Sequence, residues 1–407
     1  MFDPTEFRLE FPILKRRVHN QKLVYFDNAA TTQKPACLLA TMREAYNHYN
    51  ANIHRGVHLL SQESTEHYEQ ARLTVANYLN APDPRSVIFT SGATGAINMA
   101  ATCIAETFLK EGDAILVSEM EHHSNLVSWQ LVAQRHKLRI VKWSINDQAR
   151  LDLEVLPSLL QQNVKVVAVT HVSNVTGVIN PIEQIAQIVH QHNAILFVDG
   201  AQGVKHYPID VQALGADFYA FSAHKIYGPL GVGVLWGKYD IMQQFTPWQG
   251  GGEMVGRVSF EGTTYAELPF RLEAGTPPYV EAIGLASALA FYRTLNDEYP
   301  NEIGTHEARL LQKAYDAVQG QGGIVYGYDP SNVAILSFNF PNIHHYDLGT
   351  LLDQMGIAVR TGTHCAEPFM NRFGITGTVR ASFALYNTIE EVEYFATSLS
   401  RALEMLS

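Results

Sequence analysis

From about residue 24 to 290, short runs of aliphatic and β-branched residues alternate with longer amphipathic stretches. That alternation predicts strands of a mainly parallel sheet, joined by crossover helices that cover both faces. The predicted strands are VIFT (87–90), AILVS (114–118), VVAVTHV (166–172), AILFVD (194–199), FYAF (218–221) and VGVLW (232–236). Several end in polar residues, and in open α/β sheets ligands sit beyond the carboxyl ends of the strands, so those ends should converge on one pocket. The Gly-, Thr- and Pro-rich stretch 246–276 reads as irregular connection, of a length that usually carries function. Beyond it, 281–318 reads as helix, VAILSFNF (333–340) as strand, and an amphipathic helix closes the chain from about Thr388. This predicts a larger lobe over 24–290 and a smaller α+β domain over 291–407. The first 23 residues, whose FRLEFPIL has apolar spacing and no strand partner nearby, are expected to join the small domain.

Composition narrows the class. At 407 residues with 46% hydrophobic and 17% charged positions, the chain can bury a large core, and two packed lobes are the natural expectation. A net charge of −11 opposes attraction to nucleic acid or anionic membranes. No apolar run is long enough to span a bilayer and the N-terminus lacks a signal-peptide core, so a cytosolic protein without nucleic-acid or membrane partners is expected. The three cysteines, Cys37, Cys103 and Cys365, are far apart and indicate neither disulfides nor a zinc site.

The segment FYAFSAHKIYGPLG sets Ser222, His224 and Lys225 just past a buried strand. A lysine ordinarily faces solvent, but AILFVDGAQ puts Asp199 at the end of another apolar strand, where an unpaired carboxylate is costly. An N-cap explains Asp199 alone. Together the two residues match a pyridoxal-phosphate site, which needs a lysine amine to condense with the aldehyde and an acid to keep the pyridine nitrogen protonated. FTSGATGAIN runs from strand into helix, so the N–H groups around Gly92 and Thr94 suit a phosphate, although a plain strand-to-helix turn looks the same. Ser222 and His224 offer further donors to it.

In EMEHHSN, His122 can lie flat on an aromatic cofactor and exchange protons, against the ordinary reading of a solvated loop histidine. The His122–His123 pair lacks a carboxylate or cysteine at ligand spacing, so no metal is expected. Asn174, in HVSNVTG, stands at a strand end and can bond the cofactor's phenolic oxygen or simply make a turn. Cys365, in RTGTHCAEP, sits in a segment too polar for core, with Arg360 near in sequence to stabilise a thiolate, whereas Cys103 lies in the apolar run INMAATCIA. Arg380, flanked by small residues in a strand pattern, can clamp a substrate carboxylate by two parallel bonds or serve in a salt bridge.

These motifs, with YFDNAATTQKP (25–35), NIHRGVHLLS (52–61), THVSNVTG (170–177), FSAHKIYGPLGVGVLWG (221–237) and EAGTP (273–277), make the chain resemble the class V aminotransferase-like, fold-type I pyridoxal-phosphate enzymes. Within them it is most similar to the SufS-like (group II) cysteine desulfurases, and the resemblance covers nearly the whole chain. It implies that Lys225 carries the cofactor, Asp199 pairs with its ring nitrogen and His122 stacks on the ring. Thr94, Ser222 and His224 match phosphate positions, and Asn174 and Gln202 match residues touching the ring and its phenolic oxygen. Arg380 matches the receiver of the carboxylate of L-cysteine, and Cys365 the cysteine that takes the sulfur as a persulfide. Thr276 matches a phosphate ligand donated across a homodimer. The expected activity is conversion of L-cysteine to L-alanine, supplying sulfur for iron–sulfur cluster assembly, with selenocysteine lyase as the near alternative and a non-catalytic sulfur-carrier scaffold as a more distant one. Tyr346, in IHHYD, stands where relatives using a zinc-containing acceptor have histidine, which favours a SufE-like acceptor protein. Gly95 and Ser91 depart from the glutamate and arginine of close relatives.

Overall fold

The computed structural model describes residues 2–206 and 208–406; Met1, Tyr207 and Ser407 lie outside the described residues. Its large lobe is built on a seven-stranded sheet of β1 (Val87–Thr90), β2 (Ala114–Ser118), β3 (Arg139–Trp143), β4 (Val164–Thr170), β5 (Ile195–Asp199), β6 (Phe218–Ser222) and β7 (Gly233–Gly237). The spatial order is β1-β7-β6-β5-β4-β2-β3. Only β7 runs antiparallel to its neighbours; the pairs from β6 to β3 are parallel. Side chains alternate between the faces of a strand, and the apolar residues divide accordingly. In β2, Ala114 and Leu116 enter one core while Ile115 and Val117 enter the other.

The first core is closed by helices α1 (Ala36–His48), α2 (Leu59–Tyr78), α5 (Ile182–Gln191) and α6 (Tyr279–Glu298), and the second by α3 (Ala93–Phe108) and α4 (Ser124–His136). The sheet is therefore covered on both sides, as expected.

The stretch read as irregular connection contains an exposed hairpin, Val255–Ser259 paired with Gly262–Tyr265. The stretch read as helical over 281–318 holds two helices: α6 ends at Glu298 and α7 (Glu302–Gln319) begins after Tyr299–Pro300–Asn301. Pro300 has no backbone N–H with which to continue the ladder, and Asn301 takes a left-handed φ of 65°.

The small lobe holds an antiparallel four-stranded sheet, whose two central strands are Ile335–Asn339 and Thr378–Ser382 and whose edge beside the latter is Arg360–Gly362. Leu310 and Leu311 of α7 and Phe395 and Leu399 of the closing helix Ile389–Leu406 pack on it. The N-terminal segment contacts both lobes. Phe11 packs at tilted or edge-on angles against Tyr227, Phe291 and Tyr386, and Arg8 pairs with Glu391 of the closing helix at 2.7 Å.

Candidate active site

The carboxyl ends of β1, β2, β4, β5 and β6 open into one cavity, which Arg360, His364, Cys365 and Arg380 of the small lobe close from the other side. Thr94, His122, Asn174, Asp199, Ser222, His224, Lys225, Arg360, Cys365 and Arg380 all line it, so ten residues singled out from sequence meet although they span nearly 290 positions.

Asp199 closes β5 and is buried, its Oδ1 accepting the Ala201 N–H at 2.9 Å. Burial pushes its carboxyl up, opposed by the charge of Lys225. Lys225, half-buried by exposed area, ends a tight turn after β6. Removal from water brings its amine down to about 8, while Asp199 favours the charged form. The pair thus presents an amine that sheds its proton readily beside an acid that suits a protonated nitrogen.

Ser222 Oγ accepts the N–H of Ala93 at the start of α3 at 2.7 Å, which leaves its O–H to donate. Gly92, at φ 142°, lets the chain turn there, and an added Cβ would approach Ser222 Oγ to 3.4 Å. His224 Nδ1 is buried without a hydrogen-bond partner. Ser222 and His224 thus bring uncommitted polar groups, and Thr94 a hydroxyl shared with Ser124 Oγ at 2.8 Å, to the first turn of a sixteen-residue helix, a set that fits a phosphate.

His122 Nδ1 accepts the backbone N–H of Ser124 at 3.1 Å. A backbone N–H can only donate, so the neutral ring carries its proton on Nε2. Burial, then the charge of Lys225, holds this histidine down at about 3, so it is neutral at physiological pH.

Arg380 is buried. Its Nη1 donates to Asn174 O at 2.8 Å and its Nη2 to Asp27 Oδ1 at 3.3 Å, and Nε has no partner. A carboxylate in the cavity would complete the fork. Arg360 is largely exposed, 4.0 Å from Asp27. Asn174 Nδ2 donates to His364 O at 2.8 Å, so its amide supports the cysteine loop as well as lining the cavity. In that loop His364 and Cys365 both adopt left-handed backbone, at φ 53° and 56°, a conformation that non-glycine residues hold only when their surroundings enforce it. Here the N–H of His123 donates to Cys365 O at 2.7 Å, and His364 Nε2 meets Thr378 Oγ1 at 2.8 Å.

Two expected residues stand outside the cavity. Gln202 is buried behind it, donating to the carbonyl of Ala29, a lining residue. Thr276 is exposed and does not line the cavity of its own chain. Sequence reasoning missed Asp27, the acidic partner of Arg380, and Ser124, which bridges His122 and Thr94. The DNAATT run carried a signal for Asp27, since a carboxylate directly after an apolar strand needs a cation. No group of acidic, histidine and cysteine residues suited to a metal occurs among the described residues.

The aminotransferase class-V family model matches residues 24–395. A probable cysteine desulfurase of Vibrio cholerae is 46% identical over 407 residues, covering all of both chains, and a cysteine desulfurase of Klebsiella pneumoniae is 42% identical over all of this chain and 99% of its own. Among solved structures, the cysteine desulfurase CsdA of Escherichia coli, in its S-sulfonic acid form, superposes with a TM-score of 0.92 at 41% identity and full coverage of both chains. The cysteine desulfurase of Thermococcus onnurineus gives 0.93 at 36%, over all of this chain and 99% of its own. The chain belongs to the class-V aminotransferase family and, within it, to the cysteine desulfurases.

Proposed function

We propose that this protein is a pyridoxal-phosphate-dependent cysteine desulfurase that converts L-cysteine to L-alanine and keeps the sulfur as a persulfide on Cys365. The observation that carries this is the meeting of Lys225, Asp199, Arg380 and Cys365 in one cavity. A transaminase needs the first three of these; a thiol facing the same space suits sulfur transfer. Bound through Lys225, with Asp199 on the ring nitrogen and Thr94, Ser222 and His224 on the phosphate, the cofactor supplies an electron sink that acidifies the Cα–H of the substrate.

Arg380 receives the substrate carboxylate, and Asn174 and Asp27 hold its guanidinium in place. Lys225, as the free amine it becomes once the substrate's own amine has taken its place, removes the Cα proton. The Cys365 thiolate then attacks the substrate sulfur. An S–S bond forms, the C–S bond breaks, and its electron pair stays with Cβ, which is protonated to become the methyl group of alanine. His122, with its proton on Nε2, is a donor suited to that last step. Arg360, at the cavity edge, adds positive charge on the thiol side.

Thr276, exposed on a chain that also exposes Val57, Leu59, Leu230 and Phe260, is read as serving the cavity of a second copy in a homodimer. Sulfur leaves to a SufE-like acceptor on the way to iron–sulfur cluster assembly, with the protein acting in the cytoplasm. No helix among the described residues is long and apolar enough to cross a membrane, in keeping with that location.

Purified enzyme given L-cysteine and a reductant should form alanine and sulfide in equal amounts, with selenocysteine as a parallel substrate. Cys365→Ala should keep the cofactor's colour and lose cysteine-dependent sulfide release. Full activity in that variant would refute the assignment.

A further inference from the structure

The backbone carbonyl of His224, directly before Lys225, is approached by four donors: Thr32 N–H at 3.0 Å, Thr31 Oγ1 and Thr32 Oγ1 at 3.1 Å each, and Lys34 Nζ at 3.2 Å. A carbonyl oxygen has two lone pairs, so such crowding marks a point the fold holds firmly. Lys34 is the only charged member. Its ammonium also donates to Thr32 O at 2.6 Å and lies 3.4 Å from Thr31 Oγ1. No carboxylate among the described residues comes within ion-pairing distance of it.

A half-buried ammonium satisfied only by neutral oxygens is costly to keep, and burial accordingly draws Lys34 down to about 8. What it grips is strained. Tyr227, two residues past Lys225, has a left-handed φ of 59°, and its N–H donates to Thr32 Oγ1 at 2.7 Å. Gly228 packs so close that a Cβ there would lie 2.7 Å from Ala223 O.

We infer that Lys34 is a positioning residue for Lys225: its ammonium clasps the His224 carbonyl and fixes the Ala223–Tyr227 turn against the Thr31–Thr32 loop. This rests on the function proposed above. Lys34 does not line the cavity, so it touches neither substrate nor cofactor. It acts on the one peptide unit that joins a phosphate donor, His224, to the reacting amine. Charge-assisted hydrogen bonds are the stronger kind, and no neutral side chain at position 34 supplies one.

The test compares holoenzymes carrying Lys34→Met and Lys34→Arg with the unmodified protein. Amide hydrogen exchange over residues 223–228, the dissociation rate of bound pyridoxal phosphate, and kcat and KM for L-cysteine are measured. Because small misplacements of a reacting group are expensive in rate, Lys34→Met should lower kcat by about 10-fold with KM changed by less than about twofold. Exchange in the turn and loss of cofactor should both accelerate, and Lys34→Arg should restore most of each. Lys34→Gln, which keeps a donor without the charge, gives the same comparison if the methionine variant does not fold. Unchanged exchange and kcat in the neutral variants, or a lowered melting temperature with normal kcat, would overturn the inference. An unmodified enzyme that makes no alanine from cysteine would instead sink the proposed function, while exchange and cofactor retention would still decide the role of Lys34.

Discussion

Replacing Glu273 by glutamine should destabilise the protein far more than loss of a surface charge would. The Glu273 carboxylate is buried and accepts four hydrogen bonds: Arg72 Nη1 and Nη2 at 2.7 and 2.9 Å, Tyr68 O–H at 2.9 Å and the Phe89 N–H at 2.7 Å. In Glu273→Gln one oxygen becomes an NH₂ group that faces other donors, and the buried Arg72 guanidinium loses its main counter-charge. Breaking a buried ion pair from one side costs about 3–5 kcal/mol. The lower end applies, because Glu69 still reaches Arg72 Nε at 3.0 Å. With an unfolding entropy of about 2.1 cal/mol/K per residue, roughly 0.85 kcal/mol/K for this chain, a loss of about 3 kcal/mol lowers the melting temperature by about 4 °C. The same carboxylate anchors the EAGTP segment three residues before Thr276, so cofactor retention should weaken alongside. Calorimetry on Glu273→Gln and on Arg72→Met/Glu273→Met together is the assay. The double variant removes both charges and should recover part of the loss. A shift under about 1 °C in the single variant, or a double variant worse than the single, would refute the reasoning.

Arg380→Lys keeps the charge but loses the planar fork, so KM for L-cysteine should rise by about 10-fold or more while the cofactor spectrum is unchanged; steady-state kinetics beside visible absorbance decides it. Because only the neutral amine condenses with an aldehyde and that of Lys225 lies at about 8 in the cofactor-free protein, uptake of pyridoxal phosphate followed by visible absorbance should quicken as pH rises through about 8. His122, held at about 3, should contribute no limb to the activity profile between about pH 5 and 8, so a limb in that window that disappears in His122→Gln would contradict this. Glu307→Ala leaves the Lys205 ammonium buried between the lobes with only the Phe383 carbonyl, 2.9 Å away, as a strong partner. It should cost about 3 kcal/mol in denaturant titration, with much of that recovered by adding Lys205→Met.

The strands easiest to read from sequence were those buried on both faces. β1, β2, β5 and β6 appear as unbroken apolar runs within a residue of their observed bounds. β3 escaped notice because it is an edge strand whose Arg139 and Lys142 point to solvent. The hairpin at 255–265 has no buried face in this chain, so its Gly- and Thr-rich sequence carries no alternation to detect. The site divides along similar lines. Lys225 and Asp199 stood out because a charged residue at or just past the end of an apolar strand needs a local reason. Asp27 and Arg380 are separated by 353 positions, and nothing within either neighbourhood names the other.

The cysteine loop shows why such long-range contacts matter to the chemistry. Gly362 signals a turn, but nothing in TGTHCAEP reveals that His364 and Cys365 both sit in left-handed backbone. Besides Thr378 of the same lobe, what holds them there comes from the other lobe: Asn174 grips the carbonyl of His364, and the N–H of His123 grips that of Cys365. The thiol is therefore presented to the cavity by the same two loops that carry His122 and Asn174 past the ends of β2 and β4. A change in how the lobes meet would move Cys365 relative to Lys225, so the alignment of these two side chains is a property of the seam, written in neither lobe alone.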